Sequence, residues 1–214
     1  MIPRAIDDGG RKLVLRERAG VLELLAGSVV LLSSAALETE GAFGRLAAGD
    51  GSLGPRRVLI AGLGFGATVR GALDACGPDA RVVVVEKMEA VERLVRGELA
   101  EIAGHPLDDA RVRVIIGDAA DAVSGAPGNF DAVLLDVDNG PHWASFRTNA
   151  RLYTPAGLAA VRRALSPGGT FAVWSGYAAD AFIPALRAAG FAPSIVPLHE
   201  RGRVRARAYV GRAP

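Results

Sequence analysis

The amino-acid sequence predicts an α/β fold, in which helices cover both faces of a doubly wound parallel sheet. Three observations lead to this prediction. Short apolar strands alternate with helical stretches after Arg56, a glycine-rich turn follows the first of these strands, and two strand-like runs close the chain without a helix between them. Alternating strands and helices require right-handed crossovers, which generate a parallel sheet. The final pair predicts an antiparallel hairpin at one sheet edge.

The amino-terminal part predicts a small β-meander followed by a helix. Three β-rich runs are separated by turns at Gly20 and Gly27, and Ser33 or Ser34 suits the cap of a helix over Ala35–Ala48. The three runs are Lys12–Arg18, Val21–Leu25 and Ser28–Leu32. We therefore divide the chain into residues 1–55, an amino-terminal unit packed on the main domain, and residues 56–214, the main domain itself.

The main domain contains five apolar segments with the length and composition of buried parallel strands. They are Val58–Ala61, Arg81–Val85, Val112–Ile116, Ala132–Leu135 and Thr170–Trp174. Helices are expected between most of them, over the stretch that ends near Ala75 and over Glu89–Ile102, Pro155–Leu165 and Ala179–Ala189. The closing hairpin consists of Ala192–Leu198 and Arg203–Val210.

Composition excludes several classes of protein. Hydrophobic residues make up 50% of the chain and charged residues 22%, as in ordinary globular domains, and a net charge of +2 is too small to predict a nucleic-acid-binding surface. Cys76 is the only cysteine, which excludes a cysteine-based metal cluster, and no metal site is predicted. Polar residues interrupt the longest apolar stretch, and the amino terminus lacks the apolar core of a signal peptide. We expect a soluble cytoplasmic protein with no membrane span.

The most informative motif is the glycine-rich turn Gly62-Leu63-Gly64-Phe65-Gly66, which joins the first parallel strand to a helix. Glycine permits backbone angles and a close approach that a β-carbon would block, and the helix amino terminus presents unpaired N–H groups. The pattern suits two ligands. Gly-x-Gly-x-Gly is seen in methyltransferases, which bind S-adenosylmethionine, and Gly-x-Gly-x-x-Ala is seen in dinucleotide-binding enzymes.

Acidic side chains end three further predicted strands. Glu86 suits the two ribose hydroxyls of a nucleotide, and Asp118 suits the adenine amino group, although it also suits a helix cap. Asp136 ends the next strand, at the sheet edge where open α/β sheets bind ligands. Only about 40 residues follow the fifth strand, too few for the substrate domain of a dehydrogenase. S-adenosylmethionine is therefore the favoured ligand.

With these residues identified, almost the whole chain resembles the spermidine-synthase-like branch of the class I S-adenosylmethionine-dependent transferases. The matching segments are Val58–Arg70, Val82–Glu86, Gly117–Ala119, Phe130–Pro141 and Ser166–Gly169. The resemblance implies a Rossmann-like class I methyltransferase sheet and allows a homodimer. It also implies that the three glycines of the turn, Gly62, Gly64 and Gly66, contact the cofactor tail. Glu86 would contact the ribose, Asp118 with Ala119 the adenine, and Asp136 would lie beside the acceptor nucleophile.

Departures from the aminopropyltransferases of that branch favour methyl transfer. Phe65 stands where they carry an aspartate that helps to hold the amine of decarboxylated S-adenosylmethionine. A polyamine acceptor needs several carboxylates, and the sequence offers Asp136 and Asp138 with little else. We therefore expect methyl transfer from S-adenosylmethionine to a small-molecule nucleophile. The first alternative is aminopropyl transfer from decarboxylated S-adenosylmethionine, and the second is a non-catalytic cofactor-binding or interaction protein.

Asp136 is the first candidate to orient or deprotonate the acceptor, and Asp138 and His142 are the second choices. Aromatic residues suited to an acceptor pocket, or equally to core packing, are Trp143, Tyr153, Trp174 and Tyr177. Four arginines alternate near the carboxyl terminus and suit either a solvated strand edge or an anion-binding patch: Arg201, Arg203, Arg205 and Arg207. No aromatic residues are interleaved with them, so nucleic acid is the less favoured partner.

Overall fold

The amino-terminal part of the chain forms an antiparallel sheet. The computed structural model describes residues 3–49, 56–125, 128–137 and 149–214. Four strands follow one another in chain order: β1 (Arg4–Asp8), β2 (Arg11–Arg18), β3 (Val21–Ala26) and β4 (Val29–Ser33). Helix α1 (Leu37–Gly44) follows, between the short 3₁₀ segments Ser34–Ala36 and Arg45–Ala48.

The main sheet has seven strands. They are β5 (Arg57–Ala61), β6 (Arg81–Glu86), β7 (Val112–Ile116), β8 (Phe130–Leu135), β9 (Leu165–Ser175), β10 (Ala192–Glu200) and β11 (Arg203–Arg212), in the order β10-β11-β9-β8-β5-β6-β7. The pairs among β5 to β9 are parallel, whereas β11 runs antiparallel to β9 and β10. The chain first builds outward from β5 to β7 and then returns to β8 on the other side of β5. The topological switch point, where such sheets bind ligands, therefore lies between β5 and β8.

Helices cover both faces of this sheet, which confirms the predicted fold class. They are α2 (Ala67–Ala75), α3 (Glu89–Arg96), α4 (Ala119–Ser124), α5 (Pro155–Ala164) and α6 (Phe182–Ala188). Alternate residues of each strand point to opposite faces. On β5, Val58 and Ile60 enter one core together with residues of α1, α2 and α3, while Leu59 and Ala61 enter a second core with residues of α4, α5 and α6.

The amino-terminal sheet shares the first of these cores. Leu13, Leu15 and Leu24 of β2 and β3 are fully buried in the same cluster as Val58 and Ile60 of β5. The backbones of helices α1 and α2 are in close contact at Gly44, because a Cβ on this residue would stand 2.1 Å from the Thr68 carbonyl oxygen. This backbone-to-backbone contact holds the amino-terminal residues at the carboxyl end of β5.

The predicted elements differ from the observed ones at their ends. Strand β1 lies outside the predicted meander because its sequence, Arg-Ala-Ile-Asp-Asp, lacks an apolar run. The helix predicted over Glu89–Ile102 ends at Arg96, because Gly97 caps it and a 3₁₀ segment follows at Ala100–Ala103. Strand β9 begins at Leu165, five residues before the predicted start at Thr170. In the described part of the chain, the helices are too short or too polar to cross a membrane.

Candidate functional site

The carboxyl ends of β5, β6, β7 and β8 open onto one cavity. Six of the residues predicted from the sequence line it: Gly62, Gly64, Glu86, Asp118, Ala119 and Asp136. Asp138, His142 and Trp143 lie outside the described residues. The predicted strand-end residues are thus brought together at the switch point of the sheet.

The glycine turn is shaped by close backbone contacts. Gly62 has a φ of +92°, and a Cβ on it would stand 2.1 Å from the carbonyl oxygen of Asp136. A hydrogen bond next to this contact joins the ends of β5 and β8: the Asp136 N–H donates to the Ala61 carbonyl at 2.8 Å. Gly64 faces open space, where the nearest atom to an added Cβ would be a Glu40 carboxylate oxygen at 3.9 Å. Gly66 does not line the cavity, and a Cβ on it would meet Pro106 at 2.7 Å.

Glu86 is buried at the end of β6 and fixes the turn. One of its carboxylate oxygens accepts from the Leu63 N–H at 2.9 Å, and the other accepts from the Met88 N–H at 2.8 Å. Burial raises the pKa of Glu86, and the backbone N–H groups lower it only in part. The Lys87 N–H bonds to the same carboxylate. Glu86 lines the cavity, and a carboxylate has about four acceptor positions, so it is able to accept a hydroxyl group from a ligand.

Asp118 serves as the cap of α4, the structural role that its sequence position also suits. Its carboxylate accepts from the Ala120 N–H at 2.9 Å and lies 3.0 Å from Arg151 and 3.4 Å from Lys87. Burial raises the pKa of Asp118, but the combined effect of these three partners is larger and in the opposite direction. The pKa therefore lies below its ordinary value. Asp118 is therefore an ionised group at the wall of the cavity.

Asp136 lies where β8 ends, opposite the turn. Its carboxylate accepts a hydrogen bond from the hydroxyl of Thr68 on α2. Burial raises the pKa of Asp136 to about 6, with a further increase from Glu86 and a partly offsetting decrease from Thr68. A carboxylate with a pKa near neutrality is suited to accept a proton in the working pH range.

Glu40 on α1 is the residue that the sequence analysis missed. It lines a second cavity together with Gly64, Asp136 and Trp174. Burial, and then the charges of Asp136 and Glu200, raise the pKa of Glu40 well above its ordinary value. Asp136 and Glu200, from distant parts of the sequence, are thus both close enough to repel the carboxylate of Glu40.

Of the described aromatic residues that the sequence analysis suggested for an acceptor pocket, one lines a cavity and the others do not. Trp174 lines the second cavity, whereas Tyr153 packs edge to face on Phe182 in the second core and Tyr177 is exposed. The first cavity also includes residues with no motif to identify them: Leu31 and Leu32 of β4, Met88 after β6, and Asn149. Leu31 and Leu32 lie at the cavity because the amino-terminal sheet packs on the main domain, and no local sequence pattern predicts that packing.

Comparisons with known proteins agree on the fold. A family model described as S-adenosyl-L-methionine-dependent methyltransferase matches residues 86–209. The polyamine aminopropyltransferase of Mycobacterium tuberculosis (strain CDC 1551 / Oshkosh) is 35% identical over 155 residues, 68% of this chain and 28% of that protein. The polyamine aminopropyltransferase of Korarchaeum cryptofilum (strain OPF8) is 32% identical over 115 residues, 54% of this chain and 34% of that protein.

The spermidine synthase structure from Thermotoga maritima aligns with a TM-score of 0.72 at 17% identity, covering 98% of this chain and 71% of that one. At this identity the structural likeness shows the fold. The chain spans about a third of the length of the two curated relatives described above.

These findings overturn the expectation that methyl transfer is favoured over aminopropyl transfer, because both relatives are named polyamine aminopropyltransferases. The sequence argument relied on Phe65 and on the small number of carboxylates beside the motifs. Phe65 is only 2% exposed and packs in the first core. A carboxyl group near the turn is contributed instead by Glu40, with Glu200 nearby.

Proposed function

Because the chain belongs to the spermidine-synthase-like branch of the S-adenosyl-L-methionine-dependent methyltransferase family, we propose that it is an aminopropyltransferase. Its substrates are decarboxylated S-adenosylmethionine and an amine. The observation that carries this choice of reaction is the position of Glu40, beside Gly64 and in one cavity with Asp136.

The charge of the site favours the decarboxylated nucleotide. Decarboxylation leaves an ammonium group on the tail and removes the carboxylate, so that a nearby anion attracts the tail without repelling it. Burial raises the pKa of Glu40 most, and repulsion by Asp136 adds to it; a cation between the two carboxyl groups relieves that repulsion. Both carboxyl groups then ionise and hold the ammonium group. A zwitterionic S-adenosylmethionine tail brings a third negative charge into the same space and binds less well.

The fit of the nucleotide is supported by the first cavity. Gly64 presents a surface with no Cβ, and Glu86 offers buried carboxylate oxygens for the ribose hydroxyls. Asp118 and the adjacent Ala119 suit the adenine edge, while Gly66 contributes through the packing of α2 on Pro106.

Decarboxylated S-adenosylmethionine supplies an aminopropyl group on a sulfonium, which is already an activated electrophile. Asp136 orients the acceptor amine and accepts the proton that it loses, at the carboxylate oxygen not bonded to Thr68. Thr68 fixes the orientation of that carboxylate. Alignment of the two substrates and a positioned base together account for acceleration by several orders of magnitude. A homodimer and a cytoplasmic location stay predictions.

The test of the reaction type is the nucleotide product. Purified protein is incubated with decarboxylated S-adenosylmethionine and a panel of amines, and methylthioadenosine is quantified. A parallel series with S-adenosylmethionine is assayed for S-adenosylhomocysteine. We expect methylthioadenosine in the first series. Formation of S-adenosylhomocysteine alone would contradict aminopropyl transfer.

The role of Glu40 is tested by Glu40→Gln, which keeps the size of the side chain and removes its charge. We expect the affinity for decarboxylated S-adenosylmethionine to fall about tenfold, and that for S-adenosylmethionine to change much less, as measured by titration calorimetry. Glu101→Gln, at an exposed glutamate that lines neither the first nor the second cavity, is the control. Equal loss of affinity for both nucleotides would remove Glu40 from the selection of the tail.

A further inference from the structure

A third cavity continues from the one that contains Glu40 and Asp136. Ser33, Ala36 and Trp174 line both of them. The third cavity also contains Glu200 at the end of β10, and it opens to solvent between Arg201, Arg203 and Arg205 at the hairpin. A path therefore leads from the proposed reaction centre, past Trp174 and Glu200, to three arginines.

Two buried polar atoms on this path lack a hydrogen-bond partner among the described residues. They are the indole Nε1 of Trp174, a donor, and the Oε2 of Glu200, an acceptor. Trp174 is only 8% exposed, and it lines both cavities. An unpaired buried polar group destabilises the fold because it has lost its hydrogen bonds to water. A ligand that offers one acceptor and one donor at this point would replace those hydrogen bonds.

The charges along the path change sign. Glu40 and Asp136 lie at its inner end, Glu200 follows, and arginines form its outer end. A long polyamine would place an ammonium group among the arginines, which repel it. A carboxylate at the same place would be attracted and would receive hydrogen bonds from guanidinium groups.

From these observations, and resting on the proposed aminopropyl transfer, we propose that the acceptor is a diamino acid rather than a simple diamine. Its side-chain amine lies at Asp136, and its α-ammonium group donates to Glu200. Its α-carboxylate accepts from the Trp174 N–H and from Arg203 and Arg205. The α-carbon of an amino acid carries both a donor and an acceptor, which match the unpaired acceptor of Glu200 and the unpaired donor of Trp174.

The transfer takes place at the side-chain amine, and the amino-acid end only binds. The amine nitrogen forms a bond to the aminopropyl carbon next to sulfur, and the carbon–sulfur bond breaks. Its electron pair stays on sulfur, so that neutral methylthioadenosine leaves, while the proton lost by the amine passes to Asp136. The products are methylthioadenosine and a diamino acid extended by one aminopropyl group.

The test compares acceptors that differ only in the carboxylate: ornithine with putrescine, and lysine with cadaverine. Methylthioadenosine release is measured with decarboxylated S-adenosylmethionine at varied acceptor concentration. For at least one of the two pairs, we expect kcat/KM to be at least tenfold higher for the amino acid than for its diamine. In the double variant Arg203→Gln/Arg205→Gln the ratio should fall at least tenfold. Arg81→Gln/Arg113→Gln, at exposed arginines on β6 and β7, is the matched control that leaves the ratio unchanged.

The two proposals fail in different ways. Turnover of the diamines with no preference for either amino acid, or a preference that the double variant retains, overturns the diamino-acid acceptor and leaves aminopropyl transfer standing. Absence of methylthioadenosine with every amine overturns both. If the double variant does not fold by circular dichroism, the single variant Arg205→Gln takes its place. Trp174→Phe, which removes the N–H and keeps an aromatic ring, should raise KM for the amino acid more than for the diamine.

Discussion

Glu40 and Asp136 come from different elements, α1 and the end of β8, yet they line one cavity. Burial raises the pKa of each, and each is further affected by a neighbouring carboxyl group. Such crowding of like charges destabilises the folded protein at neutral pH, and it is typical of sites that bind a cation or transfer a proton. The two residues that perform the proposed chemistry are therefore also residues that lower the free energy of unfolding.

Asp136→Asn should therefore separate activity from stability. Turnover is expected to fall by about 10²–10⁴-fold because the base is lost, while nucleotide affinity stays nearly unchanged. The free energy of unfolding at pH 7.5 should rise by about 1 kcal/mol, since a buried charge is removed and an asparagine oxygen still accepts from Thr68. Urea denaturation and initial rates measure the two effects. Unchanged turnover would remove Asp136 from the reaction.

The pKa of Asp136 also sets an expected pH dependence. With a folded-state pKa of about 6 and an unfolded value near 3.8, the folded protein binds more protons between these values. The contribution of Asp136 to stability is therefore fully present below pH 3.8 and is lost as the pH rises through about 6. Because the base acts when deprotonated, kcat/KM should instead increase with pH across the same point. A profile that is unchanged in Asp136→Asn relative to wild type would contradict this assignment.

Asp136 could be predicted from the sequence, and Glu40 could not. Asp136 directly follows a buried parallel strand, and the ends of such strands converge at one sheet edge whatever the rest of the fold does. Glu40 lies within a helix that carries no motif, and its distance from Asp136 is set by how α1 packs on α2. Phe65 misled the prediction for the same reason, because the sequence does not reveal that its side chain turns into the core.

At the scale of elements, the contact between α1 and α2 positions this pair of carboxylates. A Cβ on Gly71 of α2 would stand 2.1 Å from the Gly41 carbonyl oxygen, and a Cβ on Gly44 would be as close to Thr68. The Thr68 hydroxyl oxygen lies 3.3 Å from the Glu40 carbonyl and bonds to Asp136. Small residues thus let the two helix backbones touch, and Thr68 joins them to the end of β8.

Gly71→Ala should weaken nucleotide binding although Gly71 lines neither the first nor the second cavity. The added methyl group collides with backbone, so we expect a loss of about 1–3 kcal/mol in the free energy of unfolding and a fall in nucleotide affinity. Gly77→Ala is the matched control, because a Cβ there meets no atom within 4 Å and φ is not positive. Equal effects of the two substitutions on urea denaturation would show that the helix contact carries no special constraint.

The strands of the main sheet were predictable because apolar runs such as Val82–Val85 have few alternatives to a buried strand. Strand β1 was not, since its alternation is too polar and its partner β2 defines it. The helix predicted over Ala35–Ala48 contains Gly41 and Gly44, poor helix formers that are needed for contact with α2 rather than for helix stability. Local propensity and tertiary packing therefore disagree where the two units meet.

At the scale of the whole molecule, one core crosses from the four-stranded sheet into the seven-stranded one. Leu13, Leu15 and Leu24 share a cluster with Val58 and Ile60. We expect a single cooperative unfolding transition in urea, with far-ultraviolet circular dichroism and amide signals of β2 and β5 changing at the same midpoint. Two separated midpoints would show that the amino-terminal sheet unfolds by itself.

Leu31 and Leu32 place strand β4 at the wall of the first cavity, the proposed nucleotide site. A bound nucleotide is thus held partly by the strand that closes the four-stranded sheet, and any local opening of that sheet must release it. Residence time then depends on how often β4 detaches, and substitutions in β2 or β3 that never touch the ligand would alter its dissociation rate. Mutations selected for weaker inhibitor binding would accordingly be found in the amino-terminal sheet as well as around the glycine turn.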